Sequence, residues 1–201
     1  MASIAYKVVS DFEETIAEWG GSRYAVAVES CTAALFLSLL YRDIKRKTVV
    51  IPKFTYPSVP CSIINAGGKV AFSDDEWTGV YQLGNTGVWD SALRFQKGMY
   101  KGGLHCLSFH SKKLLPIGRG GMVLTDDYNA YKWLRKARFD GRDEVALADD
   151  PLTMVGWNMY MMPEQAARGL QLFDLLKNED IHDMDSTKQH YPDLSKVEAY
   201  K

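Results

Sequence analysis

Ser108-Phe109-His110-Ser111-Lys112-Lys113-Leu114-Leu115-Pro116-Ile117-Gly118-Arg119-Gly120-Gly121 is the stretch from which the rest of the chain is best read. It leaves one predicted strand, His105 to Phe109, passes two lysines, and returns through a glycine-rich turn into another, Gly121 to Thr125. A lysine held out of water loses part of its preference for the charged form. Its amine can then attack a carbonyl and form an imine. A surface hairpin with two solvated lysines has the same spacing, and spacing alone leaves both readings open.

Outward from this block the chain alternates strands and helices. Ser10 with Glu13 reads as a capping box that starts a helix, with Phe12, Ile16 and Trp19 on one face and Gly20-Gly21 as its stop. Ala25 to Val28 predicts a buried strand, and Ala33 to Leu40 a well-packed helix. Thr48 to Ile51 is a strand ended by Pro52, and Ser58 to Ala66 a helix stopped by Gly67-Gly68. Lys69 to Phe72 and Val88 to Asp90 are short strands, Tyr128 to Phe139 is an amphipathic helix, and Pro163 opens a last one through Leu176. The order predicts an α/β fold: a mostly parallel central sheet with helices on both faces. Residues 1–177 form one large domain. From 178 to 201 the composition turns polar (Asn178, Glu179, Asp180, Asp183, Asp185), giving a tail that is a helix at best or a loosely held arm.

Composition narrows the class. The 201 residues are 46% hydrophobic, enough for one substantial core. Basic and acidic residues number 24 and 25, which leaves no electrostatic footprint for nucleic acid or an anionic membrane. No apolar run reaches the ~18 to 20 residues of a membrane span, and Met1 to Ser10 lacks the pattern of a signal peptide. Cys31, Cys61 and Cys106 form no CxxC pair, which argues against a disulfide framework or a zinc site and for a cytoplasmic setting.

In open α/β sheets, ligands collect at the carboxyl ends of strands. Ser30-Cys31-Thr32-Ala33 follows the first strand and opens a helix, where free N–H groups can hold an anion. Asp90 ends a later strand, where a carboxylate can keep a ligand nitrogen protonated. Tyr56 stands in a loop after Pro52, placed to lie flat on a heteroaromatic ring. Each has an ordinary alternative: an N-cap, a helix cap and a core aromatic.

Together and in this order these features resemble the DegT/DnrJ/EryC1/StrS family of sugar aminotransferases, which have the aspartate-aminotransferase type of pyridoxal-phosphate fold, fold type I. The resemblance runs from about Phe12 to Leu176. It takes in Gly68-Lys69-Val70-Ala71-Phe72-Ser73-Asp74, Asp90-Ser91-Ala92, the Ser108 to Asp127 block, Gly156-Trp157-Asn158 and Glu164-Gln165-Ala166-Ala167-Arg168-Gly169-Leu170. It implies pyridoxal 5'-phosphate as cofactor and no metal. The family's imine-forming lysine lies five residues after the serine of the block, which selects Lys113 over Lys112. Ser108, Thr32 and Ala33 match groups that hold the cofactor phosphate. Tyr56 matches the aromatic on the pyridine ring, and Asp90 the carboxylate facing its nitrogen. Asn158 matches an asparagine reaching the neighbouring subunit's phosphate, which implies a homodimer with shared sites.

The implied activity moves an amino group from a donor such as glutamate to a keto-sugar, nucleotide-linked in this family. Leu93 and Tyr160 depart from the pattern, standing where members place a polar residue and an arginine, and members are longer than this chain. A second class therefore stays open: a pyridoxal-phosphate-fold protein that binds cofactor or a partner without turnover of its own. The family's dehydratase branch has histidine in place of the imine lysine, whereas Lys113 is present here.

Overall fold

The computed structural model describes residues 4–186 and 191–200. Residues 1–3, 187–190 and 201, the two ends of the chain and part of the polar tail, lie outside the described residues. The elements are α1 (Ile4–Gly20), β1 (Tyr24–Val28), α2 (Cys31–Tyr41), β2 (Thr48–Pro52), α3 (Ser58–Asn65), β3 (Lys69–Ser73), β4 (Tyr81–Gln82), β5 (Val88–Asp90), β6 (Leu104–Ser108), β7 (Gly121–Thr125), α4 (Tyr128–Ala137) and α5 (Pro163–Leu176). Short 3-10 turns follow at Leu147–Asp149, Leu194–Lys196 and Glu198–Tyr200.

The main sheet has the order β1-β7-β6-β5-β4, and β2-β3 form a second, parallel pair. The Gly84 N–H donates to Val50 O at 2.9 Å, joining β2 to the segment just after β4. The sheet is mixed rather than mostly parallel, which corrects the sequence expectation. β7 runs antiparallel to both β1 and β6, and β4 antiparallel to β5. The cause is connectivity: the loop 109–120 folds straight back, and a direct return of this kind yields antiparallel neighbours. Parallel pairing survives where the chain crosses over, through α3 between β2 and β3 and through residues 91–103 between β5 and β6.

Alternation along the strands sends side chains to two separate cores. Val26, Val28, Cys106 and Val123 face α2, α3 and α4. Ala25, Ala27, Leu107, Met122 and Leu124 face the other way, toward Phe12 and Ile16 of α1 and Ala166 and Phe173 of α5. Helices thus cover both faces, as expected. At Gly169 an added Cβ would stand 2.7 Å from the Phe12 ring, so the α1–α5 contact depends on the missing side chain.

α1 begins at Ile4, not at Ser10, because the apolar stripe extends back to Val9 and Tyr6. Glu13 is therefore an interior helical residue and not a capping partner. It is buried, accepts the Ala27 N–H at 2.7 Å, and pairs with the buried Arg138 beyond α4. The Arg138 guanidinium also donates to Ala27 O at 2.5 Å. One ion pair thus ties α1, β1 and the end of α4 together.

Among the described residues of the polar tail, several are held against the domain. Arg94 donates to Asp183 through Nε at 2.9 and 3.1 Å and through Nη2 at 2.5 Å, Gln96 adds a bond at 3.1 Å, and the Met184 N–H donates to Leu93 O at 2.9 Å. Leu194 is buried and its N–H donates to Lys53 O at 2.9 Å. An aspartate with a forked arginine partner, and one buried leucine, outweigh the polar composition. No described helix is long and apolar enough to cross a membrane.

His105 in β6 is buried, stacks on Trp89 with 5.4 Å between ring centroids, and shares a 3.0 Å bond between Nδ1 and Ser91 Oγ. Burial, aided by the nearby Arg94 charge and opposed by the Gly102 carbonyl, pulls its pKa down to about 4. The folded state therefore refuses a proton that the unfolded chain accepts below about 6.5. The stability this neutral ring preserves is complete above that pH and is lost as pH falls toward 4, by on the order of 3 kcal/mol. Denaturant titrations of wild type and His105→Gln between pH 7 and 4 should show a smaller decline in the variant; equal declines would refute the assignment.

Candidate active site

The carboxyl ends of β1, β5 and β6 open on one edge of the sheet, where Asp90 and Ser108 stand. Asp90 ends β5 opposite Cys106 of β6 and is buried. Its Oδ1 accepts the Ala92 N–H at 3.0 Å and its Oδ2 the Tyr81 hydroxyl at 3.2 Å. Burial raises its pKa, against the pull of the Ala92 N–H, the Lys113 charge and the Tyr81 bond. Lys113 is half-buried while Lys112 is exposed, so the fold itself separates the two lysines. Burial lowers the Lys113 pKa, opposed by Asp90 and Cys31. Among the described residues, no ion pair within 4.0 Å joins Lys113 to Asp90, although each feels the other's charge. An amine and a carboxylate, both pushed toward their neutral forms, thus lie within each other's electrostatic reach.

Two thiols lie in the same neighbourhood. Cys31 Sγ donates to Cys106 O at 3.5 Å, and Cys106 Sγ lies 3.5 Å from Ser38 Oγ. Burial raises the pKa of both thiols, with the Asp90 charge adding to it, so they are inert apolar filler and not nucleophiles.

The candidate anion cradle is assembled by a close approach. Ser108, the last residue of β6, pairs with Gly121, the first of β7. A Cβ on Gly121 would run into Ser30 C and Cys31 N, so only glycine lets the start of α2 come up against this strand end. Through its Gly121 partner, the end of β6 is thereby tied to the turn that opens α2. Thr32 is exposed; Ala33 is buried, and its N–H donates to the N-cap Ser30 Oγ at 3.1 Å. The N-cap reading and the anion-site reading of this segment thus describe one and the same helix start, in which the Ala33 donor is already shared with the cap.

Tyr56 is 62% exposed, its ring open to a ligand and not in the core. Asn158 is exposed and donates from Nδ2 to Asp140 at 3.1 Å; it stands beside the end of β1, where the Glu29 N–H bonds to Met159 O at 2.9 Å. Asn158 makes no contact with the Lys113–Asp90 pair among the described residues. Leu93 is buried, and Tyr160 packs against the rings of Tyr6 and Phe139 at 5.9 and 5.3 Å.

The sequence reading missed Tyr81, Thr55 and the part played by Tyr191. Tyr191, from the tail, rests on Trp77 at 6.1 Å between centroids; burial raises its pKa, with smaller contributions from Asp90 and Tyr56, so it stands near both. No local pattern marks these residues, because their partners are distant in sequence.

The sequence model of the DegT/DnrJ/EryC1/StrS aminotransferase family matches residues 2–80 and 96–191. The chain belongs to this family. Among curated relatives, the UDP-4-amino-4,6-dideoxy-N-acetyl-beta-L-altrosamine transaminase of Campylobacter jejuni is 24% identical over 248 residues, covering 97% of this chain and 66% of the relative. The spore coat polysaccharide biosynthesis protein SpsC of Bacillus subtilis is 26% identical, covering 88% of this chain and 56% of its own length. Among solved structures, a DegT/DnrJ/EryC1/StrS aminotransferase from Brucella abortus superposes with a TM-score of 0.73 at 21% identity, over 86% of this chain and 59% of that one. PseC of Helicobacter pylori, an aminotransferase involved in the biosynthesis of pseudoaminic acid, gives 0.69 at 18% identity, over 88% and 64%. The fold is that of the pyridoxal-phosphate-dependent aminotransferases. The chain spans about two thirds or less of the length of the relatives it matches, and the 248 residues aligned in the Campylobacter protein exceed this whole chain of 201, so that relative has segments with no counterpart here. The family match omits residues 81–95, the stretch that holds Asp90. The position of Asp90 in the site therefore rests on its burial at the end of β5, within electrostatic reach of Lys113.

Proposed function

We propose that this chain binds pyridoxal 5'-phosphate at Lys113 and serves an aminotransferase that moves nitrogen from an amino donor such as glutamate to a keto-sugar, carried on a nucleotide. The observation that carries this is the Lys113–Asp90 arrangement: a desolvated amine and a buried carboxylate, within each other's electrostatic reach without closing into an ion pair. The pair suits the cofactor chemically, since its aldehyde needs an amine and its ring nitrogen a carboxylate. When bound, pyridoxal phosphate supplies a carbonyl that takes up the substrate nitrogen and a ring that withdraws electrons from the reacting carbon.

The chain's own residues then divide the work. Asp90 holds a proton at the ring nitrogen. Ser108, Thr32 and Ala33 bind the phosphate at the start of α2, where the helix dipole favours an anion. Tyr56 lies against the ring face. Lys113 Nζ, poised toward its neutral form, would hold the cofactor at its aldehyde carbon, whose oxygen leaves as water, and when free would take and return the substrate's proton. Asn158 serves a second copy of the chain in a homodimer. Its exposure supports this, as do the exposed apolar residues Leu152, Val155 and Met162 around it. A cytoplasmic setting is in keeping with three free thiols.

One feature favours a second reading, a cofactor-binding protein that needs a partner chain for turnover: Tyr191, from the tail, stands near both Tyr56 and Asp90. A single experiment separates the two. With added pyridoxal phosphate the protein should gain a band near roughly 410 to 430 nm, and glutamate should bleach it. A band that glutamate and other amino donors leave untouched selects the partner-dependent reading. If no band forms, both fail.

A further inference from the structure

Tyr81 opens β4 and is the first residue past the family match. The antiparallel register pairs it with Asp90, which puts both side chains on one face; a slip by one residue would turn Tyr81 away. Its hydroxyl donates to Asp90 Oδ2 at 3.2 Å and lies 2.6 Å from Thr55 Oγ1. A phenol has one proton, and this one is given to Asp90, so Thr55 must donate its own to the phenol oxygen. The relay Thr55 to Tyr81 to Asp90 therefore runs in one direction, with all three residues buried and the Trp77 ring 4.6 Å from that of Tyr81. Each carboxylate oxygen has one donor, Ala92 N–H on Oδ1 and Tyr81 on Oδ2, which fixes the plane of the group.

We propose that Tyr81 is a positioning residue of the site: its hydroxyl, oriented by Thr55, holds the Asp90 carboxylate in the plane and charge state needed by the cofactor's ring nitrogen. This rests on the pyridoxal phosphate reading and extends it to a residue outside the family match. The titratable groups that face Asp90 are Lys113, Cys31, Cys106, Tyr191 and Tyr81. Among the described residues, Tyr81 is the one whose side chain donates a hydrogen bond to it. Removing that donor makes Asp90 the stronger base. With the cofactor bound, a proton shared with the ring nitrogen would shift toward Asp90, and Lys113 Nζ, joined to the aldehyde carbon, would keep its proton to higher pH.

The test is a pH titration of the 410 to 430 nm band in pyridoxal-phosphate-loaded wild type, Tyr81→Phe and Thr55→Val. Tyr81→Phe should keep the band and raise the midpoint of its loss by about half a unit to one unit, with Thr55→Val moving it the same way by less. A wild-type midpoint in Tyr81→Phe overturns the proposal and leaves the cofactor reading standing. If Tyr81→Phe does not fold, Thr55→Val decides on the same criterion. A wild type with no band overturns both.

Discussion

Lys113→Ala should lose the pyridoxal phosphate band entirely and reduce turnover by at least ~10³-fold, the scale on which a positioned acid–base group acts. The expected loss is large because one nitrogen holds two tasks, bonding the cofactor at rest and carrying the substrate's proton. Lys112→Ala is the control. Lys112 is one residue away, has the same side chain and is exposed, so its replacement should leave the band and the rate near wild type. Absorbance of the reconstituted variants, followed by transamination assays, reads both effects. If Lys113→Ala retained the band while Lys112→Ala lost it, the register of the whole site would be wrong by one residue.

Glu13→Ala should be the most damaging single change to the fold. It leaves the Arg138 charge inside the protein, with side chains of the pair only 5% and 4% exposed, and takes away the acceptor for the Ala27 N–H. Breaking such a pair from one side costs about 3 to 5 kcal/mol, a large part of a typical domain's 5 to 15 kcal/mol. At roughly 2 to 4 °C per kcal/mol for this size, Tm should fall by about 6 to 20 °C. Glu144, 3.2 Å from the other arm of Arg138, softens the loss without replacing the inner acceptor. Replacing both partners, Glu13→Met with Arg138→Met, should recover much of it, since no orphaned charge remains. A drop under ~1 kcal/mol in Glu13→Ala would show that the pair does not hold α1 to the sheet.

Most elements were legible in the sequence, and the candidate site could be named there from the family resemblance, for reasons that also explain the exceptions. Gly121–Thr125 and Pro163–Leu176 are bounded by residues whose backbone chemistry sets the boundary, and both fall where the sequence puts them. Strand direction has no such marker. β7 carries the same run of apolar residues whether its neighbours are parallel or antiparallel, so the mixed sheet was hidden. Glu13 shows a different ambiguity: Ser and Glu three residues apart read as a helix start, yet the same spacing occurs inside a helix when the acid has a buried partner 125 residues away. β4 has two residues, too few for any alternation, which is why Tyr81 could not be placed against Asp90 before the register was known. The tail misled through composition, since Asp183 is polar and yet clasped.

The contact at Gly121 has a mechanical side. Because the strand end touches the backbone of Ser30 and Cys31 directly, with no side chain between them to act as a spring, α2 and the β6–β7 pair must translate as one piece. Breathing of the sheet edge then carries the Ser108–Gly121 pair and the helix start together. Amide exchange should therefore be slow and concerted at Ser108, Gly121 and Ala33.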